Sequence, residues 1–372
     1  MRPDIVVIGG GTVGAAIAYG LARRGERVLL LDGGDGDFRA ARANFGLVWL
    51  QGKGMGLPAY QTLTRRSIDA WRAFADEIET EGATDLHYEQ NGGLAFCVGA
   101  DAFETRQAQL QRLHNQWDGG TPDWEMIDRP ALERLLPKVT LGPDVTGASF
   151  GRRDGHANPL KLLAALHAGI LRLGGEIRHQ ATVRTLSGVG GDFRIAIGDE
   201  TLVAPRVVIA AGLGTQALAS QVGLEVPVHP ERGQILVTER LAPMLPLPAS
   251  GLRQTADGTV MIGATKEDVG FDASATADAA ARLSRSATRI VPALARARLV
   301  RQWAGLRVLT PDSYPIYAQS TSHPGAFVAV CHSGVTLAAF HAGAYAGAVA
   351  AGTLPDDLAP FHQSRFDVPQ AA

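Results

Sequence analysis

The 372-residue chain is long enough for two domains, and its content of 46% hydrophobic and 19% charged residues is that of a globular protein with a substantial core. A net charge of −2, with no block of lysine or arginine, argues against nucleic acid or an anionic membrane as the main partner. Two distant cysteines, Cys97 and Cys331, exclude a disulfide framework and favour a reducing compartment, so we expect a cytoplasmic protein.

The first 32 residues predict a β–α–β unit. Ile5–Ile8 is a continuous apolar run, typical of a strand covered on both faces. Helical periodicity follows over residues 12–24, Gly25 ends the helix, and residues 27–32 predict a second parallel strand.

Two apolar runs could be mistaken for targeting or membrane segments. The run at residues 5–20 predicts a strand, a turn and a helix, and the run at residues 335–351 predicts a buried helix. We therefore expect neither a signal peptide nor a transmembrane segment.

The rest of the chain mixes helices and strands. Helical patterns cover residues 58–81, 102–114, 131–136, 159–173, 277–290 and 334–351. Strand patterns cover residues 176–178, 182–186, 193–197, 206–211, 234–238, 259–262 and 327–330. Residues 86–98 predict a hairpin that turns at Asn91-Gly92-Gly93.

Gly9, Gly11 and Gly14 form a G-x-G-x-x-G pattern between the first strand and helix, and Asp32 closes the second strand. Such a loop lets the backbone approach a pyrophosphate, while the helix N-terminus supplies N–H donors and positive potential. Asp32 is suited to accept hydrogen bonds from a ribose. A glycine turn without a ligand is the alternative. The loop alone does not distinguish NAD from FAD, but the apolar strand ending at Ala211-Gly212 predicts a return to the same layer, as FAD folds require.

Several further segments resemble sequence motifs of a known protein family. These are Arg232-Gly233-Gln234, residues 261–265 (MIGAT), residues 303–307 (WAGLR) followed by Thr310-Pro311-Asp312, and residues 332–336 (HSGVT). With the glycine loop and Asp32, they make the chain resemble the D-amino-acid oxidase superfamily of FAD enzymes, close to glycine and sarcosine oxidases, over nearly its whole length. Residues 43–54 (ANFGLVWLQGKG) and 154–159 (DGHANP) resemble the β subunits of heteromeric D-hydroxyproline dehydrogenase, opine oxidase, L-proline dehydrogenase and hydrogen cyanide synthase.

The resemblance implies an α/β (α+β) fold in which a Rossmann-like FAD-binding domain carries an inserted antiparallel-sheet substrate domain. The expected FAD-binding segments are 1–85, 145–225 and 300–372, and the substrate-binding segments are 86–144 and 226–299. FAD is expected to bind non-covalently, because the sarcosine oxidases that attach flavin covalently use a different motif from the one around Cys331. The resemblance also implies partner subunits that carry further cofactors, with FMN at a subunit interface as one option.

The resemblance further implies which residues contact FAD. They are Gly9, Gly11, Thr12, Val13, Gly14, Asp32, Gly33, Arg42, Ala43, Asn44, Phe45, Gly46, Leu47, Val183, Ala211, Gly212, Ser333, Gly334, Val335 and Thr336. Arg42 is expected near the pyrophosphate, and the N–H groups of residues 333–336 near the flavin pyrimidine oxygen. Ser333 as an ordinary helix N-cap is the alternative for the last segment.

Four residues are candidates for catalysis. Arg307 matches the family's carboxylate-binding position, where a guanidinium gives a planar, bidentate partner; the alternative is an ordinary salt-bridged arginine. Lys266 falls where sarcosine oxidases place a lysine over the flavin ring, although a solvated loop edge is equally compatible. Lys53 is a second cation or an exposed loop lysine. His332 is a candidate base, as is His156.

These residues predict FAD-dependent oxidation of the C–N bond of a small amino acid, with a hydride passing from the carbon next to nitrogen to flavin N5. The favoured function is the β subunit of a D-hydroxyproline or opine dehydrogenase. A stand-alone glycine- or sarcosine-type oxidase that produces peroxide, a non-catalytic flavin-holding scaffold subunit and, last, an NAD(P) dehydrogenase are the alternatives. Neither metal-ligand spacing nor a G-x-S-x-G elbow is present, so we expect no metal centre and no serine hydrolase.

Overall fold

The computed structural model describes residues 2–34, 40–117 and 120–367. Met1 and residues 35–39, 118–119 and 368–372, which fall within the predicted domain segments, lie outside this description. In chain order the strands are β1 (Ile5–Ile8), β2 (Val28–Leu31), β3 (Leu47–Val48), β4 (Gly93–Val98), β5 (Trp124–Asp128), β6 (Val145–Gly151), β7 (Gly155–His156), β8 (Glu176–Arg178), β9 (Val183–Val189), β10 (Asp192–Ile197), β11 (Glu200–Ala204), β12 (Arg206–Ile209), β13 (His229–Arg240), β14 (Leu252–Gln254), β15 (Thr259–Gly263), β16 (Leu299–Leu309), β17 (Ile316–Gln319) and β18 (Ala326–Val330).

Seven α-helices lie between these strands in the described part of the chain, and two follow the last strand. They are α1 (Thr12–Ala22), α2 (Pro58–Gly82), α3 (Ala100–Asn115), α4 (Arg129–Leu135), α5 (Pro159–Arg172), α6 (Thr215–Ala219), α7 (Ala277–Ile290), α8 (Ala338–Phe340) and α9 (Ala346–Ala351). The start of α5 is the one that the sequence indicates: Pro159 occupies the first turn, and the Asn158 side chain accepts hydrogen bonds from the backbone N–H groups of Leu160 and Lys161.

A six-stranded sheet in the order β17-β18-β12-β1-β2-β8 forms the centre of the molecule. All neighbouring strands are parallel except β17 and β18. Apolar cores cover both of its faces, since Ile5 and Val7 of β1 pack into one core while Val6 and Ile8 pack into the other. This two-sided burial explains the continuous apolar run from which the strand was predicted.

Two antiparallel sheets enclose a third apolar core. Their orders are β4-β6-β5 and β14-β15-β13-β16, and α4 and α7 contribute to the core between them. The predicted boundaries at residues 145 and 300 therefore fall at the starts of β6 and β16, which pair into these sheets. The division into an FAD-binding and a substrate-binding domain stays a prediction.

The predicted hairpin over residues 86–98 is wrong. β4 pairs with β6, about fifty residues later in the chain, while Glu89 forms an isolated bridge with His156. The chain does turn at Gly92, where a Cβ would overlap the ring of Phe150. The two arms of that turn reach different, distant partners, and a local turn signal contains no information about them.

The predicted closing helix is interrupted. Helical structure begins at α8 instead of at Gly334, and residues His341–Tyr345 form a π-helical turn between α8 and α9. Arg24 donates hydrogen bonds to the carbonyl oxygens of Ala342 (3.2 Å) and Gly343 (2.7 Å), which diverts these two groups towards α1. No helix within the described ranges is long and apolar enough to cross a bilayer.

Candidate active site

The glycine loop lies where β1 ends and α1 begins. Gly9 has a φ of 114°, and a Cβ at Gly14 would overlap the carbonyl oxygen of Gly9, so both positions require glycine. Gly11 is the N-cap of α1 and provides no side-chain cap, while the hydroxyl of Thr12 is buried without a hydrogen-bond partner in the described structure. Uncapped N–H groups and an unpartnered hydroxyl at a helix N-terminus fit the pyrophosphate of a dinucleotide.

Asp32 lies directly against this loop. A Cβ at Gly10 would lie 2.6 Å from a carboxylate oxygen of Asp32, whose other oxygen accepts a hydrogen bond from the N–H of Gly34 (3.1 Å). Ala181 donates its N–H to the carbonyl oxygen of Asp32 (2.8 Å), which brings the predicted contact Val183 to the same edge of the sheet. The structure therefore groups the predicted ribose contact Asp32 with the predicted FAD contact Val183.

The return strand β12 ends beside the same loop. Ala210 donates its N–H to the carbonyl oxygen of Ile8 (2.8 Å), and Gly212 has a φ of 58° that turns the chain out of the strand. From the other side, Gly334 approaches closely enough that its Cβ would lie 3.3 Å from Val13. The segments predicted to enclose FAD from both ends of the chain thus meet at the N-terminus of α1.

Residues 42–47 form a loop with its own internal bonds. The Asn44 side chain accepts a hydrogen bond from the N–H of Gly46 (2.7 Å), and Gly46 has a φ of 87°. The Thr336 hydroxyl bonds the carbonyl oxygen of Leu47 (3.2 Å), and the Trp303 indole donates to the carbonyl oxygen of Ala43 (3.4 Å). These contacts place the loop between the 333–336 segment and strand β16.

Arg307 lies on β16 opposite Glu231 of β13, and its Nη1 donates to a carboxylate oxygen of Glu231 at 2.9 Å. A Cβ at Gly233 would lie 2.7 Å from the guanidinium, so the missing side chain leaves room for the guanidinium beside the strand. Burial lowers the pKa of Arg307, opposed by the charge of Glu231, and an arginine stays protonated regardless. The residue is salt-bridged and close to the other candidate residues, and its role as a carboxylate clamp stays a prediction.

The structure brings the four candidate catalytic residues together. His332 is accessible to solvent, yet burial among nearby protein atoms and the charges of Lys53, Arg307 and Lys266 together lower the pKa of its ring to about 3. A ring that is accessible but closely surrounded lies in a cleft. Since three cations act on this imidazole, it is neutral at physiological pH and a weak proton acceptor.

Lys53 is not an exposed loop lysine. Its ammonium donates to the hydroxyl of Ser333 at 2.7 Å, and the Tyr60 hydroxyl donates to the same oxygen at 2.9 Å. Burial lowers the pKa of Lys53 to about 8. Ser333 does not act as a helix N-cap, because its side-chain oxygen accepts these two bonds from other elements and α8 begins only at Ala338.

Lys266 is exposed, but the residues on either side of it are held. Thr265 accepts a hydrogen bond from the N–H of Gln234 (3.0 Å), and Glu267 forms a salt bridge with Arg232 (2.8 Å). Arg282 pairs with the other oxygen of Glu267 at 2.8 Å. A solvated loop edge therefore describes Lys266 but not Glu267, and the loop carries the lysine in a defined position between two fixed neighbours.

Asp154 is a residue to which no sequence pattern assigned a role, although it begins the DGHANP segment. Its wholly buried carboxylate accepts hydrogen bonds from the N–H groups of Leu50 and Gln51 (3.2 Å for the latter). Its second oxygen has no partner among the described residues, and burial raises its pKa to about 7. The Gln51 side chain is held in turn by Arg106 (2.7 Å). Asp154 thus fixes the segment that leads to Lys53.

His156, the other candidate base, has charged neighbours different from those of His332, namely Arg253 and His87. It is buried on β7, where its Nδ1 is 3.2 Å from a guanidinium nitrogen of Arg253, and burial lowers its pKa to about 4. It pairs across the backbone with Leu47, behind the 42–47 loop. No three His, Cys, Asp or Glu side chains in the described ranges are arranged to hold a metal ion.

The chain is similar to known proteins in sequence and in fold. A family model for FAD-dependent oxidoreductases (DAO) matches residues 4–348. The B subunit of opine oxidase from Agrobacterium tumefaciens (strain Ach5) is 41% identical over 369 residues, covering 99% of each chain. Hydrogen cyanide synthase subunit HcnC of Pseudomonas aeruginosa is 30% identical over 431 residues, covering 99% of this chain and 97% of that one. The crystal structure of glycine oxidase from Geobacillus kaustophilus superposes with a TM-score of 0.89 at 24% identity, covering 98% of this chain and 99% of that one.

Proposed function

Because this chain belongs to the DAO family of FAD-dependent oxidoreductases, as its motifs predicted, we propose that it oxidises the C–N bond of an opine. An opine is a secondary amine whose nitrogen lies between two carbons that each bear a carboxylate. The observation that carries the proposal is the full-length similarity, at 41% identity, to a protein named as a subunit of opine oxidase. The predicted α/β fold with antiparallel sheets is confirmed.

The reaction removes two electrons from the substrate. FAD, when bound, supplies the acceptor, because its N5 takes up a hydride. The substrate carbon next to nitrogen gives up that hydride, the nitrogen loses a proton, and a C=N bond forms. Addition of water to this imine then breaks the C–N bond and releases an amino acid and a 2-oxo acid.

The protein's part in this reaction is to bind and orient. We assign the dinucleotide to the glycine loop, Asp32, the 42–47 loop and the 333–336 segment, and one substrate carboxylate to Arg307. FAD binding is non-covalent in this proposal, since burial of Cys331 raises the pKa of its thiol to about 12 and leaves it unreactive. No contact among the described residues supports an FMN site.

We also propose that the chain works with partner subunits. Relatives at 41% and 30% identity are both named as subunits of larger enzymes. The two free, buried cysteines are compatible with the predicted cytoplasmic location. Co-purification of further chains with the tagged protein tests the assembly, and a lone chain that passes electrons to oxygen at full rate would contradict it.

The test of the activity is anaerobic reduction of the purified, FAD-loaded chain by a substrate panel. Octopine and nopaline are expected to bleach the flavin absorption, whereas sarcosine and glycine are not. Bleaching by cis-4-hydroxy-D-proline instead would transfer the assignment to the other predicted substrate. Stoichiometric peroxide in air would favour the stand-alone oxidase, and no bleaching by any amine would favour the scaffold subunit.

A further inference from the structure

We propose that Lys53 forms a second anion subsite, which holds one of the two substrate carboxylates while Arg307 holds the other. The inference rests on the proposed function and deepens it, because it names the structural feature of the substrate that this chain selects. The selected class is an amine, or an analogue of one, that carries a carboxylate on each side of the central atom.

Lys53 and Arg307 both lie near the segment that contains His332 and Ser333. The Lys53 ammonium lies 2.7 Å from the hydroxyl of Ser333, the residue that follows His332. The imidazole of His332 experiences the charges of both Lys53 and Arg307. The two cations therefore border the same part of the cleft. Lys53 extends into it from the segment before α2, and Arg307 extends into it from β16.

Lys53 and Arg307 differ in their charged partners. Arg307 already has an anionic partner in Glu231, whereas Lys53 forms no salt bridge among the described residues and experiences the charge of the Asp154 carboxylate only from a longer distance. An ammonium has three donor hydrogens, and the bond to Ser333 uses one of them. Burying a cation without an anion is costly, and a ligand carboxylate that lies against it recovers part of that cost. Lys53 thus has two donor hydrogens that remain available to a ligand beside the candidate substrate site.

Hydrogen bonds hold Lys53 in place before any ligand binds. Tyr60 donates to the same Ser333 oxygen, which fixes the partner of the ammonium. The N–H of Lys53 donates to the carbonyl oxygen of Leu50 (3.0 Å), and the N–H of Leu50 bonds to buried Asp154. A lysine held in this way loses little side-chain freedom on binding, in contrast to Lys266, which is exposed.

The selected class follows from the number of charges. Glycine, sarcosine and hydroxyproline each carry a single carboxylate, which Arg307 alone can hold. A second, separately placed cation adds affinity only for a ligand with a second carboxylate. Opines are such ligands, and so are thioethers of the same shape, which lack the amine and cannot undergo C–N oxidation.

The experiment measures binding of two thioether probes to the FAD-loaded protein through perturbation of the flavin spectrum. Thiodiacetate carries two carboxylates and (methylthio)acetate carries one. We expect the wild type to bind thiodiacetate about tenfold or more tightly than (methylthio)acetate, because one charge-assisted hydrogen bond is of that order. Lys53→Met is expected to abolish the preference and leave the dissociation constant of (methylthio)acetate unchanged. Lys53→Arg, which retains the charge, is expected to preserve part of the preference.

Lys138→Met, at an exposed position outside the site, is the matched control and should behave as the wild type. Equal affinity of the wild type for the two probes would overturn the proposal. This measurement needs no variant, so the proposal can be tested even if a variant misfolds. Loss of the preference in Lys266→Met but not in Lys53→Met would also overturn it. The binding experiment does not depend on turnover. A preference for thiodiacetate, together with no flavin reduction by octopine, would therefore refute the proposed function but still support the Lys53 subsite.

Discussion

Replacing Asp154 by asparagine tests whether a buried, protonated carboxyl group holds the segment before Lys53. The side chain is wholly buried, and one oxygen accepts hydrogen bonds from the N–H groups of Leu50 and Gln51. Burial raises the pKa of the carboxyl to about 7 from an unfolded value of 3.8, opposed by these bonds and by the charge of Arg106. Asparagine has the same shape and an oxygen for the same two donors, but it does not ionise.

The sign of the effect follows from proton binding. Between pH 3.8 and about pH 7 the folded protein holds a proton on Asp154 that the unfolded chain has released. The free energy of unfolding therefore falls as pH rises through this window, by about 1.4 kcal/mol per pH unit for one proton. From pH 5 to pH 8 the wild type is expected to lose about 3 kcal/mol through this group alone, most of it below pH 7.

The assay is urea unfolding of the FAD-loaded wild type and Asp154→Asn from pH 5 to pH 8. Subtracting one curve from the other removes every other titrating group. The difference is expected to move in favour of the variant by about 3 kcal/mol and to level off above about pH 7. Asp257→Asn, at an exposed turn between β14 and β15, is the control and should run parallel to the wild type. Parallel curves for wild type and Asp154→Asn would refute the reasoning.

Three further substitutions and one control test the cofactor and substrate assignments. Gly14→Ala places a Cβ on the carbonyl oxygen of Gly9 and is expected to lower the flavin content of the purified protein severely. The control is Gly343→Ala, where a Cβ meets nothing within 4 Å, and this variant is expected to retain its flavin. Equal flavin content in the two variants would count against the dinucleotide site. Arg307→Ala is expected to weaken binding of (methylthio)acetate about tenfold or more while FAD stays bound. Gly233→Ala is expected to act in the same direction, because its Cβ would displace the guanidinium, and unchanged affinity in both variants would contradict the clamp.

The parts of the site that could be predicted from the sequence are those that depend on neighbouring residues. A strand, a glycine loop and a helix in succession determine where Gly9 and Gly14 lie, and Asp32 follows at the end of the next parallel strand. The apolar pattern of β12 likewise places Ala211 near the loop, because a parallel strand that joins this sheet ends at the same edge.

The parts that could not be predicted depend on contacts between distant residues. The 86–98 segment has the local pattern of a hairpin, yet β4 pairs with β6. Nothing in the sequence around Ser333 shows that Lys53 and Tyr60 both reach its hydroxyl. Similarly, the place of Gly233 under the Arg307 guanidinium arises from strand pairing across more than seventy residues.

Domain boundaries likewise depend on contacts between residues that are distant in the chain. The resemblance implies boundaries at residues 145 and 300, but the strands that begin at or next to these residues pair with earlier strands in antiparallel sheets. A boundary taken from sequence follows the chain, whereas a sheet is assembled from segments that are remote in the chain.

The most direct test of the central claim is anaerobic mixing of the FAD-loaded chain, alone and with its co-purified partners, with octopine. Octopine is expected to bleach the flavin absorption, with release of one amino acid and one 2-oxo acid for each flavin reduced. Flavin that dithionite reduces but that neither octopine nor nopaline reduces, with or without partners, would contradict the assignment.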